Sequence, residues 1–152
     1  MKVALIGATG FVGAAVLQEL VQRGHEVVAL VRDPAKLPAQ AGVQAMQADV
    51  MDAKDVEQAV RGTQAVLSAY NAGWANPNIY DDFLRGSAAI VQGVKAAGVL
   101  RYLVVGGAGS LFVAPGVQLV DTPEFPAAIY PGASAARDML TEVAVHPEAW
   151  IA

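Results

Sequence analysis

The sequence predicts a three-layer α/β sandwich, with one parallel sheet between two layers of helices, and three observations lead to this prediction. Short apolar runs alternate with longer segments of helical spacing, as expected for repeated strand–helix–strand units. A mean hydropathy of +0.40 indicates strands that are buried on both faces, as parallel sheets require. The first apolar run passes through a glycine-rich turn directly into a helix. Because crossovers between parallel strands are right-handed, the expected strand order is 3-2-1-4-5.

The glycine-rich turn lies between the first strand and the first helix. Residues 2–6 are the apolar run, residues 7–13 read Gly-Ala-Thr-Gly-Phe-Val-Gly, and helical spacing follows. In this geometry Gly7 permits the tight turn, Gly10 leaves room for a pyrophosphate, and Gly13 lets the helix lie close to the strand. The free N–H groups at the helix start then face the anion, so the pattern predicts dinucleotide binding rather than a glycine turn of another α/β protein. The residues predicted to contact the dinucleotide here are Gly7, Thr9, Gly10, Phe11, Val12 and Gly13.

The end of the second strand indicates which dinucleotide is bound. This strand, at residues 25–31, ends about twenty residues beyond the glycines, where a ribose-reading residue belongs. An acidic side chain there repels a 2′-phosphate, whereas an arginine offers a planar fork that fits it. Arg32 follows the strand at once and Lys36 can add a second charge, so we predict NADP(H) in preference to NAD(H). Two alternatives stay open. The neighbouring Asp33 could read the ribose and favour NAD(H), or Arg32 could be an ordinary solvated charge of the loop.

A third strand is predicted over residues 42–48, with Asp49 and Val50 at its end. A helix should follow over residues 53–60. Either aspartate before this helix could simply cap it, and Asp52 fits the cap better than Asp49.

The fourth strand, at residues 63–69, leads to a loop at its carboxyl end. Ligands of doubly wound sheets lie at that edge, beside the switch between strands one and four. The residues predicted to line the ribose of the cofactor are Ser68, Ala69, Tyr70 and Asn71. Trp74 follows in an exposed-looking turn, and it is interpreted as a pocket wall, a subunit contact or a surface cap.

The second half of the chain predicts fewer site residues. Further elements are predicted as a helix over 80–97, a strand over 101–105, a helix over 133–145 and the start of a strand at Trp150 and Ile151. The stretch 111–131 contains four prolines and reads as a long irregular loop of the kind that forms lids or binding loops.

Composition limits the classes of function. A chain of 152 residues, of which 55% are hydrophobic and 16% charged, is predicted to be one domain with a substantial core. The absence of cysteine excludes disulfides and thiolate chemistry, and two distant histidines make a zinc site improbable. The net charge of −4 argues against nucleic-acid binding, and no apolar stretch is long enough for a membrane span. We expect a cytoplasmic protein, a monomer or homodimer, with a small-molecule partner.

The Gly-Ala-Thr-Gly-Phe-Val-Gly stretch resembles the extended and atypical short-chain dehydrogenase/reductases. Within them the chain is similar to the NAD(P)H-binding group that holds flavin and quinone reductases, epimerase relatives and redox-sensing regulators. The resemblance implies a Rossmann-like fold. It also implies that Asp49 accepts a hydrogen bond from the adenine amine, that Val50 packs on the adenine ring, and that Ser110 faces the substrate.

The resemblance also shows a departure. Short-chain reductases usually pair a tyrosine with a lysine four residues later, which lowers the pKa of the phenol so that it can donate a proton. Here Ser134 follows Tyr130 and Leu84 follows Tyr80 at that spacing. The usual mechanism of ketone reduction or epimerisation is therefore not carried over.

Our first hypothesis is an NADPH-dependent oxidoreductase that passes hydride to a flavin or quinone-like acceptor, with Ser110, Tyr70 and Tyr130 near that acceptor. The alternatives are a non-catalytic NADP(H)-binding redox sensor and an NAD(P)-dependent epimerase or dehydratase. Family members generally continue beyond the point where this sequence stops, at Ala152. We therefore expect either a minimal domain or a chain that lacks a C-terminal substrate-closing segment.

Overall fold

The computed structural model describes residues 1–144 and 149–151, and this part of the chain forms eight strands and four α-helices. The strands are β1 (Lys2–Ile6), β2 (Glu26–Val31), β3 (Val43–Gln47), β4 (Ala65–Ser68), β5 (Tyr102–Val104), β6 (Phe112–Ala114), β7 (Val117–Gln118) and β8 (Ala149–Ile151). The helices are α1 (Phe11–Gln22), α2 (Ala53–Val60), α3 (Ile79–Ala96) and α4 (Tyr130–Ala144). Short 3-10 turns cover Pro34–Lys36, Ala108–Ser110 and Leu119–Asp121.

Six of these strands form one parallel sheet in the order β3-β2-β1-β4-β5-β8. The predicted order 3-2-1-4-5 is confirmed, and β8 adds a sixth strand beside β5. β1 pairs with β4 although β2 and β3 lie between them in the sequence, so the direction of winding reverses at this point. Ligands of such sheets lie at the carboxyl ends of the strands beside the reversal.

The helices pack on the two faces of the sheet because neighbouring strand residues point in opposite directions. Ala4 and Ile6 belong to a core that also holds side chains of α2, α3 and α4. Leu5 belongs to a smaller core on the other face, where it packs with Leu17 of α1. Residues 3–6 are at most 3% exposed, and burying a leucine or isoleucine stabilises by about 1.5–3 kcal/mol. β1 is therefore the central strand of both cores.

The helices lie close to their predicted positions. α2 spans the predicted residues 53–60, whereas α4 begins at Tyr130 rather than at 133. Pro131 explains the earlier start, because proline is well tolerated in the first turn of a helix. The predicted end of this helix at Val145 lies outside the described residues. No helix within the described part of the chain is long and apolar enough to cross a membrane.

The segment 111–131 is more regular than predicted. β6 and β7 pair in an antiparallel hairpin, separate from the main sheet, with Gly116 at a φ of 73° in the turn. Large apolar side chains are exposed on this hairpin, including Phe112 at 69%. The sequence did not reveal the hairpin because strands of two or three residues are too short for a periodic pattern.

The contact between α1 and the turn before it generates a first prediction. A Cβ added at Gly13 would lie 1.9 Å from the carbonyl oxygen of Gly7 and 2.6 Å from its carbonyl carbon. Both are backbone atoms, so the helix would have to move away from the turn. We expect Gly13→Ala to lower the free energy of unfolding, measured by urea denaturation, by about 3 kcal/mol. Gly107→Ala is the control, since its Cβ would meet only the Cβ of Ala136 at 3.5 Å. Equal losses in the two variants would contradict the proposed close contact.

Candidate cofactor-binding site

A cleft of about 630 Å³ opens at the carboxyl edge of β1, β2, β3 and β4. Its volume falls within the usual range for ligand pockets, about 300–1,000 Å³. Seventeen residues line the cleft: Ile6, Gly7, Thr9, Gly10, Leu30, Val31, Arg32, Gln47, Ala48, Asp49, Val50, Met51, Ala69, Tyr70, Asn71, Ala72 and Gly73. The cleft therefore lies where the winding of the sheet reverses, as predicted for a dinucleotide site.

The glycine turn between β1 and α1 is fixed by close backbone contacts. Gly7 has a φ of 82°, a conformation that glycine adopts without strain. A Cβ at Gly7 would lie 2.5 Å from the carbonyl oxygen of Ala69 at the end of β4. The N–H of Gly10 donates to the carbonyl of Gly7 at 2.9 Å. The turn is thus held between the end of β4 and the start of α1.

The start of α1 is open to a ligand. An α-helix leaves its first N–H groups without intrahelical acceptors, and the N-cap Gly10 makes no side-chain bond to them. The amides of residues 11–13 thus have no partner within the helix. A Cβ at Gly10 would meet only the Gly7 carbonyl oxygen, at 3.3 Å. Thr9 and Gly10 line the cleft, while the side chain of Phe11 is 98% exposed outside it. A diphosphate fits this arrangement, because unpaired amides and a positive helix end favour an anion.

Arg32 lies at the end of β2 and lines the cleft. Its side chain is exposed, and no carboxylate in residues 1–144 or 149–151 forms an ion pair with it. The neighbouring Asp33 instead caps the turn at Pro34–Lys36, where its Oδ1 accepts from the N–H of Ala35 at 3.0 Å. Asp33 and Lys36 lie outside the cleft lining. The charged side chain that β2 presents to a ligand is therefore the arginine.

The aspartates after β3 have separate structural positions. Asp52 is the N-cap of α2, and its Oδ1 accepts from the N–H of Lys54 at 2.8 Å, which confirms the predicted cap. Asp49 lines the cleft together with Val50. One carboxylate oxygen of Asp49 accepts from the N–H of Met51 at 2.9 Å, and this bond fixes the direction of the carboxylate. Their predicted contacts with adenine stay predictions.

Tyr70 forms the wall of the cleft after β4. Its ring stacks on Phe83 with centroids 5.6 Å apart, and its hydroxyl donates to the backbone carbonyl of Asp82 at 3.0 Å. Burial raises the pKa of the Tyr70 phenol to about 12, and the charge of Asp82 adds to the shift. The phenol therefore stays protonated at neutral pH, with its proton engaged by α3.

Of the four residues predicted to line the ribose after β4, Ser68 is the one that does not reach the cleft. Ala69, Tyr70 and Asn71 line the cleft, whereas Ser68 is 1% exposed and lies outside the lining. Ser68 forms a hydrogen bond with the Tyr102 phenol, which lowers the pKa of that phenol, but burial dominates and raises it to about 12. Because alternate residues of β4 face opposite ways, the serine side chain points into the core.

The two predicted catalytic residues also lie outside the cleft lining. The hydroxyl of Ser110 donates to the carbonyl of Gly107 at 2.8 Å, within its own 3-10 turn. Tyr130 begins α4, is 43% exposed, and contacts Phe125 edge to face. Ser134, at the position where a lysine would pair with Tyr130, donates to the carbonyl of Tyr130 at 2.8 Å. The roles of Ser110 and Tyr130 near an acceptor stay predictions.

Sequence reasoning missed a polar network between α3 and α4. The Tyr80 hydroxyl donates to Asp138 Oδ2 at 2.7 Å, and Arg137 donates to Asp138 at 2.8 Å and to Asp121 at 2.7 Å. The Arg137 guanidinium holds the pKa of Asp138 below its usual value. The hydrogen bond to Asp138 raises the pKa of Tyr80. No local pattern could pair Tyr80 with a residue 58 positions later.

Several residues of the cleft were also missed. They share a place near the carboxyl ends of strands, which is the signal that could have found them. These residues are Ile6, Leu30, Val31, Gln47, Ala48, Met51, Ala72 and Gly73. The described residues contain no group of three or more histidines and carboxylates that could hold a metal ion.

Comparison with known proteins adds independent findings. A sequence model described as NAD(P)H-binding matches residues 7–146. The uncharacterized protein YwnB of Bacillus subtilis is 38% identical over 136 residues, which cover 88% of this chain and 61% of YwnB. The chain thus spans less than two thirds of this relative.

Two solved structures resemble the chain over nearly its whole length. One, named provisionally as an epimerase, is from Bacteroides thetaiotaomicron and is 43% identical, with a TM-score of 0.87 over 97% of this chain and 67% of its own. The other, named provisionally as an NADH-flavin reductase, is from Streptococcus pneumoniae and is 32% identical, with a TM-score of 0.76 over 99% of this chain and 69% of its own.

Because the pKa values of two tyrosines are raised in the fold, we expect the protein to lose stability at alkaline pH. The pKa values of Tyr70 and Tyr102 are about 12 in the fold, against about 10 in an unfolded chain. The fold therefore favours the protonated phenols. Their contribution to the free energy of unfolding is fully present below pH about 10 and is lost as the pH rises toward about 12. At pH about 11 each should lower the free energy of unfolding by about 1 kcal/mol, measured by urea denaturation against a reference at pH about 8.

The matched variants are Tyr70→Phe and Tyr102→Phe, each of which should lose about half of the alkaline drop. An undiminished drop in the double variant would show that other groups cause it.

Proposed function

Since the chain belongs to the NAD(P)H-binding family, we propose that it is an NADPH-dependent reductase that passes hydride to a flavin or quinone-like acceptor. One observation carries the proposal: a single cleft joins the open start of α1 to Arg32, which forms no ion pair among the described residues, and to the wall formed by Tyr70. The positive helix end supports the binding of a diphosphate, and the arginine at the end of β2 supports the binding of a 2′-phosphate.

The choice of NADPH rests on Arg32 and its neighbour. A guanidinium binds phosphate through two parallel hydrogen bonds, and Arg32 has no competing ion pair among the described residues. Asp33 would repel a 2′-phosphate if it faced the cleft, but its carboxylate caps the turn at Pro34–Lys36. Asp49 and Val50 lie along the same wall, which supports adenine contacts at that end.

The choice of acceptor rests on Tyr70 and Tyr130, neither of which is suited to donate a proton. The Tyr70 hydroxyl is engaged by Asp82 and its pKa is about 12, so it serves as a wall rather than as an acid. Tyr130 has Ser134 in place of a lysine. NADPH, when bound, would supply a hydride, and a flavin acceptor would take it up together with one proton from solvent. Such an acceptor needs positioning beside the dinucleotide and no acidic side chain.

Both solved structures described above support a redox or epimerase chemistry in relatives of this domain. An epimerase would need a base to remove a proton or hydroxyl hydrogen, and the chain has no tyrosine–lysine pair at the usual spacing. We therefore place the reductase first.

Replacing Arg32 with alanine tests the cofactor. Arg32→Ala should weaken NADPH binding by roughly 1.5–3 kcal/mol, the scale of a charged hydrogen bond, while NADH binding is spared. The measurement is a titration that follows the fluorescence of the dihydronicotinamide. Arg61→Ala is the matched control, because Arg61 pairs with Glu57 on the exposed surface of α2 and does not line the cleft. Equal losses for both dinucleotides would show that Arg32 does not read the 2′-phosphate.

Turnover tests the reaction. The purified protein should consume NADPH when FMN, riboflavin or a quinone is added, and the loss of NADPH absorbance measures the rate. Binding of NADPH without consumption in the presence of every acceptor would reject the reductase. A difference in affinity between NADPH and NADP⁺ would then favour a redox sensor.

A further inference from the structure

We propose that the indole of Trp74 is the platform on which the ring system of a planar aromatic acceptor stacks. This inference rests on the proposed reductase function and names the part of the chain that selects its acceptor. Trp74 is 61% exposed, although a tryptophan side chain is among the most costly apolar groups to leave in water. It follows Gly73, the last lining residue of the cleft in chain order.

The position of the indole is fixed by a glycine of α4. A Cβ added at Gly132 would lie 2.6 Å from Cζ3 of Trp74 and 2.9 Å from a methyl carbon of Ile79. The six-membered ring therefore packs on bare backbone at the start of α4. One part of the indole is anchored by this contact, and the exposed part remains available to a ligand.

The loop around Trp74 is held in shape by its own polar groups. The N–H of Asn76 donates to the carbonyl of Gly73 at 2.9 Å, which closes a turn with Trp74 at its second position. Asn71 Oδ1 accepts from the N–H of Gly73 at 2.7 Å. The Asn76 amide donates to Asp82 at 2.9 Å. The turn thus presents the indole on a supported scaffold, which is the condition for a specific contact.

The same contacts favour an aromatic ligand over a sugar. A sugar is recognised through hydrogen bonds, yet Asn71 Oδ1 and the side chains of Asn76 and Asp82 are engaged in bonds within the protein. Ile129 and Tyr130, which shortly precede Gly132 in the sequence, are 42% and 43% exposed, so the chain leading into α4 exposes apolar side chains. Flat aromatic ring systems gain the most binding free energy on such a surface, because ring stacking adds to the burial of apolar area.

The location suits hydride transfer. Arg32 and Asp49 line the wall formed by β2 and β3, whereas Gly73 and Trp74 continue the chain beyond β4. If Arg32 holds the adenosine end of a dinucleotide, Tyr70 and the loop that carries Trp74 would lie toward its nicotinamide end. An acceptor stacked on the indole would then lie beside that end.

The test compares Trp74→Ala with Trp74→Phe in NADPH-dependent reduction of FMN. We expect Trp74→Ala to raise the KM for FMN about tenfold with little change in kcat, and Trp74→Phe to recover most of the loss. The Kd for NADPH should stay within about twofold of the parent value, a ratio too small to report a lost contact. Phe112→Ala is the matched control, because Phe112 is an equally exposed aromatic residue on the β6–β7 hairpin, away from the cleft lining.

A binding measurement is independent of turnover. Trp74 and Trp150 are the two tryptophans of the chain, so a Trp150→Phe variant leaves Trp74 as the single indole. FMN added to this variant in the presence of NADP⁺ should quench its fluorescence, and Phe112→Ala in the same background should leave that quenching unchanged.

The outcomes separate the two proposals. Turnover with an unchanged KM in Trp74→Ala, together with no quenching, overturns the platform and leaves the reductase standing. Quenching without any NADPH consumption rejects the reductase and supports the platform. Loss of a dimer in Trp74→Ala with an unchanged KM assigns the indole to a contact between two copies and also overturns the inference.

Discussion

The contact between Gly13 and the carbonyl of Gly7 is the constraint on which the candidate site depends. It lets α1 begin directly above the end of β1, the strand that is buried in both cores. Gly7 in turn approaches the carbonyl of Ala69 on the neighbouring β4. A Cβ at Gly7 or Gly13 would collide with backbone atoms, whereas a Cβ at Gly10 would meet only the Gly7 carbonyl oxygen, at 3.3 Å, and Gly10 lines the cleft. The open helix start follows from how closely the strand and the helix pack.

Some polar side chains around the cleft form hydrogen bonds with backbone groups, and others line the space where a ligand would bind. Asp33 and Asp52 cap turns or helices, and Asn76 fixes the loop after β4. Each satisfies backbone groups that would otherwise need water. The Arg32 side chain has no such task within the described residues, whereas Asp49 both accepts from the N–H of Met51 and lines the cleft. The charge that the cleft presents to a ligand therefore depends on which polar side chains are already bonded to the backbone of nearby turns.

The sequence was most informative where local chemistry decides the structure. The glycine turn, the cap at Asp52 and the order of the main strands could be predicted, because each depends on spacing within one or two elements. The hydrogen bond between Ser68 and Tyr102 joins neighbouring strands, and the bond from Tyr80 to Asp138 joins α3 to α4. Such contacts join residues that are distant in sequence, so neither secondary-structure propensity nor hydrophobic periodicity could predict them. The sequence predicts an exposed position for Trp74, but the contact of its indole with Gly132 of α4 joins residues that are distant in sequence.

The network between α3 and α4 restricts how this domain can change over evolutionary time. Arg137 lies between the carboxylates of Asp121 and Asp138, which belong to different elements. If the arginine were replaced first, two negative charges would face each other without a cation between them. If either carboxylate were replaced first, the remaining pair would still be neutral. Substitutions in lineages descended from this chain should therefore remove an acidic partner before the cation, and the order of mutation would be encoded in the geometry of three side chains.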